Sequence, residues 1–141
     1  MNDSESELCV VDSNVWLYAF IQTQAQDKTA KAKTIVQSSH IIVSSQVINE
    51  VCVNLIKKAR FDEISIRSLI ESFYSKYRVA NISQEYLLKA SELRDRHRFS
   101  YWDSLIVACA LLEGATVVYS EDMQAGLVVE NRLRIVNPFA A

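Results

Sequence analysis

Five short apolar runs constrain this chain more than any other feature: Leu8–Val11, Ile41–Val43, Val79–Ile82, Val117–Tyr119 and Leu133–Val136. A short continuous apolar run is what a parallel strand, covered on both faces, looks like in sequence. Between the runs the apolar residues recur at helical spacing, so each strand is followed by one or more helices. Strands alternating with helices predict an α/β fold, a three-layer αβα sandwich around a central parallel sheet of about five strands.

The helices carry their own punctuation. Ser13 or Asn14 can cap a helix through Trp16, Leu17 and Phe20, and Asp27 precedes a lysine-rich helix with Ala30, Ile35 and Val36 inward. Ser44-Ser45 supplies the cap of a third, whose apolar stripe is Val47, Ile48, Val51, Cys52, Leu55 and Ile56, with Gln46, Glu50 and Asn54 opposite. Phe61-Asp62 opens a helix through Ile66, Leu69, Ile70 and Phe73, and Ser83 caps one through Leu87, Leu88, Ala90 and Leu93. Ser100 opens an almost wholly apolar helix, Tyr101 to Glu113, which Gly114 ends.

The 141 residues suit one domain, expected over 8–141 after an acidic N-terminal tail, 1–7. No apolar run reaches the ~18 residues of a membrane span, and a cytoplasmic protein without a membrane partner is expected. The three cysteines, Cys9, Cys52 and Cys109, fall in apolar segments without Cys-x-x-Cys spacing, as buried thiols in a reducing compartment do. His40 and His97 show no zinc-ligand spacing. Two glycines cannot write a P-loop or a G-x-G-x-x-G turn. A net charge of -2 gives no global attraction to a polyanion, so any such binding must use local patches and a metal.

Four acids stand where the alternating pattern turns them toward one edge of the sheet. Asp12 directly follows the first run, Asp122 follows the fourth after two residues, Asp103 opens the apolar helix and Glu50 lies near the start of the third. In open α/β sheets ligands bind beyond the carboxyl ends of the strands. Carboxylates gathered there repel one another unless a cation is present, which reads as a metal-dependent hydrolase. Each acid also has an ordinary reading. Asp12 and Asp122 can be turn or cap residues, Asp103 can close a capping box with Ser100, and Glu50 can be a solvated glutamate.

Basic residues gather at Arg94, Arg96 and Arg98, just before Phe99, Tyr101, Trp102 and the Asp103 helix. Arginines beside aromatics suit a single-stranded nucleic acid, with phosphates held and bases stacked, although a solvated helix end has the same composition. A receiver-like signalling module is the competing α/β reading. It wants adjacent acids after strand one, an Asp after strand three and a Lys after strand five, and none of these is present.

Asp12-Ser13-Asn14-Val15-Trp16-Leu17-Tyr18-Ala19-Phe20 resembles the opening of a PIN-domain nuclease. Ser45–Glu50 is similar to that family's second acidic segment, Tyr101–Ala108 to its third and Tyr119–Met123 to its fourth, and Ile135–Phe139 looks like the last strand of bacterial members. The resemblance covers Leu8 to Phe139, with Ser120 where a threonine is frequent. It implies a Mg2+- or Mn2+-dependent endoribonuclease, most like VapC-type toxins of bacterial toxin–antitoxin pairs, with RNA as substrate, an antitoxin protein as partner and a homodimeric state. Asp12 and Asp103 would hold the metal with Asp122 and Glu50 completing the site, Asn14 and Ser120 would orient carboxylates or waters, and Arg94, Arg96 and Arg98 would meet RNA. A free-standing PIN nuclease in RNA processing, or a catalytically silent binding module, keeps the same fold.

Overall fold

The five apolar runs do form strands. The computed structural model describes residues 7–21, 25–38 and 40–140. In chain order the elements are β1 (Leu8–Val11), α1 (Ser13–Phe20), α2 (Gln26–Ser38), β2 (His40–Ser44), α3 (Ser45–Ala59), α4 (Glu63–Lys76), β3 (Arg78–Ala80), α5 (Gln84–Arg96), α6 (Tyr101–Leu112), β4 (Val117–Tyr119), β5 (Val128–Val129) and β6 (Leu133–Val136). The expected acidic tail falls on residues 1–6, outside the described ones, except Glu7. Its carboxylate accepts from the Thr116 hydroxyl at 2.9 Å and from Arg134 at 3.5 Å.

The sheet has six strands, in the order β3-β2-β1-β4-β6-β5. The first five positions are parallel and β5 runs antiparallel at the edge. The five parallel strands are those expected, and β5 adds a short antiparallel sixth at the edge. It is two residues long, too short for any periodicity, and it turns into β6 through Glu130 and Asn131, both at positive φ. The Arg132 N–H closes the turn on the Val129 carbonyl at 3.1 Å.

Order reverses beside β1: the chain goes outward through β2 and β3, then returns to the other side with β4. At the centre Val10 pairs with Ile42 on one side and Val118 on the other, and all three are fully buried. Helices cover both faces, giving three layers. In α6 every residue from Ser104 to Leu111 is buried, so this helix is fixed on all sides. Gly114, at φ 82, turns the chain from α6 toward β4.

Trp16 ties α1 to the sheet. Its ring is 1% exposed, packs edge-on against Phe73 and Tyr77, and donates its indole N–H to the Val11 carbonyl at 3.1 Å. The bond gives a buried indole its partner and anchors the helix directly behind the end of β1. Truncating such a side chain typically costs about 3–5 kcal/mol.

Two caps differ from the sequence reading. Asp12 itself, and not Ser13 or Asn14, is the N-cap of α1. Ser83 holds the N-cap position of α5 without a side-chain bond.

Candidate active site

The reversal point between β1 and β4 is where an open α/β sheet leaves a crevice at its carboxyl edge. Asp12 enters it directly from β1. The ladder continues one residue further, since the Asp12 N–H reaches the Tyr119 carbonyl at 2.9 Å. Its carboxylate is held at both oxygens: Oδ1 accepts the Ser13 N–H at 2.7 Å and Oδ2 accepts the Ser120 hydroxyl at 2.7 Å. The side chain is the helix cap of the ordinary reading, and its place at the carboxyl edge leaves the functional reading compatible with that role.

Ser120 organises the segment after β4. Its buried Oγ accepts the N–H groups of Asp122, at 3.2 Å, and Met123, at 3.3 Å, while donating its proton to Asp12. One hydroxyl therefore fixes the position of Asp122 relative to Asp12. Asn14, in the first turn of α1, donates from Nδ2 to Asp122 Oδ2 at 2.9 Å, and its own Oδ1 is buried without a partner. Next to Asp122, Glu121 accepts from Lys28 and from Tyr18 Oη (3.0 Å), which binds this segment to α1 and α2.

Asp103 lies in the first turn of α6, where its N–H is capped by Ser100 Oγ at 3.1 Å. Glu50 stands near the start of α3. It is half-buried, close enough to Asp12 and Asp103 to feel their charges, and its buried Oε1 has no hydrogen-bond partner.

The electrostatics show one acidic field. Burial pushes Asp12 above the usual carboxylate range, against the pull of Ser120 and Ser13, and the charges of Asp103 and Asp122 add to the rise. Burial also raises Asp103, opposed by Ser100 and reinforced by Asp122. Glu50 is pushed up to about 7, first by burial and then by Asp12 and Asp103. Among the described residues, none of the ion pairs includes any of the four acids. The donor set consists of carboxylate, amide and hydroxyl oxygens, with orphaned buried oxygens on Glu50 and Asn14. That chemistry fits a hard divalent cation. Among the described residues no three acidic, histidine or cysteine side chains converge tightly enough to grip an ion directly. An ion held by one or two carboxylates and several waters, the usual Mg2+ arrangement, fits this spacing.

The three arginines separate. Arg94 donates to Ser104 Oγ at 2.7 Å and lies 4.4 Å from the centre of the Tyr101 ring, bracing α5 on α6. Arg96 is exposed near Glu130. Arg98 lines a cavity of about 210 Å³ that Asp103 and Asp122 also line, together with His97, Phe99, Met123, Gln124 and Leu127. Sequence reasoning missed the last three of these and the Lys28–Glu121 brace, because nothing in their spacing marks them. A larger cavity, about 510 Å³, opens at the opposite edge around His40, Tyr77 and Arg78, remote from the acids. The thiols offer no rival chemistry: Cys109 is buried and pushed up to about 12.

Among curated proteins, none matches this sequence. Solved structures do match. The chain superposes on a toxin–antitoxin complex of Klebsiella pneumoniae with a TM-score of 0.70 at 18% identity, covering 94% of this chain and 99% of that one. A sarcin–ricin loop cleaving VapC toxin of Mycobacterium tuberculosis gives 0.68 at 21% identity, over 88% and 98% of the two chains. The DNA-bound VapBC complex of Salmonella typhimurium gives 0.64 at 15%, over 92% and 96%. These likenesses establish the fold. The PIN domain family model matches residues 9–126, which takes in all four acids of the crevice, and the chain belongs to the PIN domain family.

Proposed function

We propose that this protein is a divalent-metal-dependent endoribonuclease acting on single-stranded or loop RNA, and the toxin of a toxin–antitoxin pair. The observation that carries the reading is the set of four acids at the reversal point of a PIN-family sheet, included in none of the ion pairs among the described residues. The likeness to a sarcin–ricin loop cleaving toxin supports RNA as the substrate. The likeness to toxin–antitoxin complexes supports an antitoxin partner. A homodimer and a cytoplasmic location belong to the same proposal. Among the described residues no helix is long and apolar enough to cross a membrane.

Asp12 and Asp103 would hold Mg2+ or Mn2+, with Asp122 and Glu50 completing the site through water. Such an ion, when bound, lowers the pKa of a water and neutralises charge developing on the scissile phosphate. The protein's own residues do the positioning. Asp12 cannot rotate, because Ser13 and Ser120 hold both its oxygens. Asn14 holds Asp122, and its buried Oδ1 has no partner within the protein's described residues. Glu50, a half-buried residue whose buried Oε1 has no partner and whose carboxyl is raised to about 7, would accept a proton or a water hydrogen there. Hydrolysis then joins a water oxygen to phosphorus and releases the ribose oxygen as the leaving group.

The test is cleavage of a mixed-sequence RNA by purified protein in Mg2+ or Mn2+, with chelator as control. Cleavage that needs the metal and is lost in Asp12→Ala with Asp103→Ala is the expected result. Cleavage that survives chelator, or survives both substitutions, overturns the reading.

A further inference from the structure

We infer that the cavity beside Asp103 and Asp122 is a purine-binding pocket, which seats one base of the RNA strand next to the scissile phosphate. This rests on the nuclease reading above. The cavity, about 210 Å³, shares a wall with the two acids, so whatever enters it lies against the centre where a phosphate would be cut. It is smaller than the ~300–1,000 Å³ of sites for drug-sized molecules, and so matches a single planar group.

Its lining has the parts a base requires. Phe99 and His97 both line the cavity, with ring centroids 5.4 Å apart and tilted by 52°, and supply its aromatic surface. Met123 and Leu127 supply apolar surface from the segment after β4. Single-stranded RNA is read by stacking splayed bases on aromatic side chains and by bonding their Watson–Crick and Hoogsteen edges.

Two side chains choose the base. Gln124 has a donor and an acceptor in one plane, matching N6 and N7 of adenine. Arg98 has a fork of donors, matching O6 and N7 of guanine. Both matches need N7, which pyrimidines lack; a pyrimidine could meet the same side chains only through its Watson–Crick edge. Both side chains are exposed at the cavity rim, where an entering base would meet them.

The experiment has two arms. In the first, binding of ApApA, GpGpG, CpCpC and UpUpU to the full chain is measured in Ca2+, with the trinucleotides checked for integrity. Purine trimers should bind about tenfold more tightly than pyrimidine trimers. The double variant Arg98→Ala, Gln124→Ala should bring all four within about twofold. Phe99→Leu, which keeps the packing volume but not the ring, should weaken all four. In the second arm, cleavage ends on a mixed RNA are mapped, and a purine should stand at one fixed position beside the cut. Equal binding of all four trimers, or a purine preference that persists in the double variant, overturns the pocket and leaves the cavity to a protein side chain. Purine-selective binding without any cleavage by the wild type upholds the pocket and overturns the nuclease reading instead.

Discussion

The two ends of α6 carry acids in opposite circumstances. At the far end Glu113 is answered by Arg78, at 2.8 Å, and by the hydroxyl of Tyr86. At the near end Asp103 has a serine cap and the favourable helix dipole, but the charge that acts on it is the Asp122 carboxylate. Among the described residues the ion pairs also join Glu121 to Lys28, Glu130 to Lys89 and Glu7 to Arg134, and none includes Asp12, Glu50, Asp103 or Asp122. Other acids outside these ion pairs, Asp62 and Glu71 among them, stand exposed to water, whereas Asp12 is buried and Glu50 and Asp103 are half-buried.

The sharpest way to break that contrast is to remove the acid held on both sides. We predict that Asp12→Asn lowers metal-dependent RNA cleavage by more than about a hundredfold, beyond the 10–100-fold typical for groups that only orient metal ligands. Glu121→Gln, at a paired acid, should act only through the segment it braces and cost far less. Steady-state cleavage of one RNA by both variants makes the comparison. Equal losses would mean that pairing does not distinguish the two sets.

Next in size is Ser120→Ala. It takes a hydrogen bond from Asp12 and strands the N–H groups of Asp122 and Met123. Apparent Mg2+ affinity should fall about 10–100-fold, as for other groups that orient ligands. Ser120→Thr keeps the hydroxyl and should restore most of it. Metal titrations of the three proteins would show whether the hydroxyl, and not the loop alone, sets the geometry.

Much of this was legible in the residues, for physical reasons. Five strands announced themselves because burial on both faces demands unbroken apolar runs, and Asp12, Asp103 and Asp122 because their places at strand and helix ends follow from those runs. Glu50 was harder. Its stripe is polar in sequence whether it meets water or other acids, and only folding brings Glu50 close to Asp12 and Asp103. The β5 strand was invisible for want of length, and the Lys28–Glu121 pair, 93 residues apart, because pairing at that distance depends on folding. Arg94 shows the converse. Composition placed it with RNA, yet the structure uses its guanidinium to brace Ser104 and Tyr101.

Smaller effects test the same contrast through stability without metal. Glu113→Ala leaves the Tyr86 hydroxyl short of its acceptor and should destabilise the fold by about 1–3 kcal/mol. Glu50→Gln should do the reverse and raise the melting temperature at neutral pH, because it removes a half-buried charge from among like charges. The pH dependence has opposite signs at the two kinds of acid. Glu50 is raised from 4.5 to about 7, so its contribution is complete below about 4.5 and is lost as pH rises through 7. Glu121 is lowered, chiefly by Lys28, so its contribution is present above the ordinary glutamate range and is lost as pH falls. Metal-free melts from pH 4 to 8 should therefore flatten on the alkaline side in Glu50→Gln and on the acid side in Glu121→Gln. A wild type whose stability rises steadily to pH 8 would remove the basis for treating Glu50 as uncompensated.

The central claim is that the four acids form one site whose missing partner is a divalent cation. Thermal melts of the wild type and Asp103→Asn, with and without millimolar Mg2+ or Mn2+, test it most directly. Binding at a hundred times Kd stabilises a fold by about 2.7 kcal/mol. For a chain of this size that shifts the melting point by roughly 5–10 °C. Without metal, Asp103→Asn should melt at or above the wild-type temperature, since relief of repulsion outweighs any weakening of the helix start. With metal the wild type should gain those degrees and the variant distinctly fewer. A wild type indifferent to the cation, beside a variant that is simply less stable, would make Asp103 a helix-end residue and nothing more, and the claim would fall.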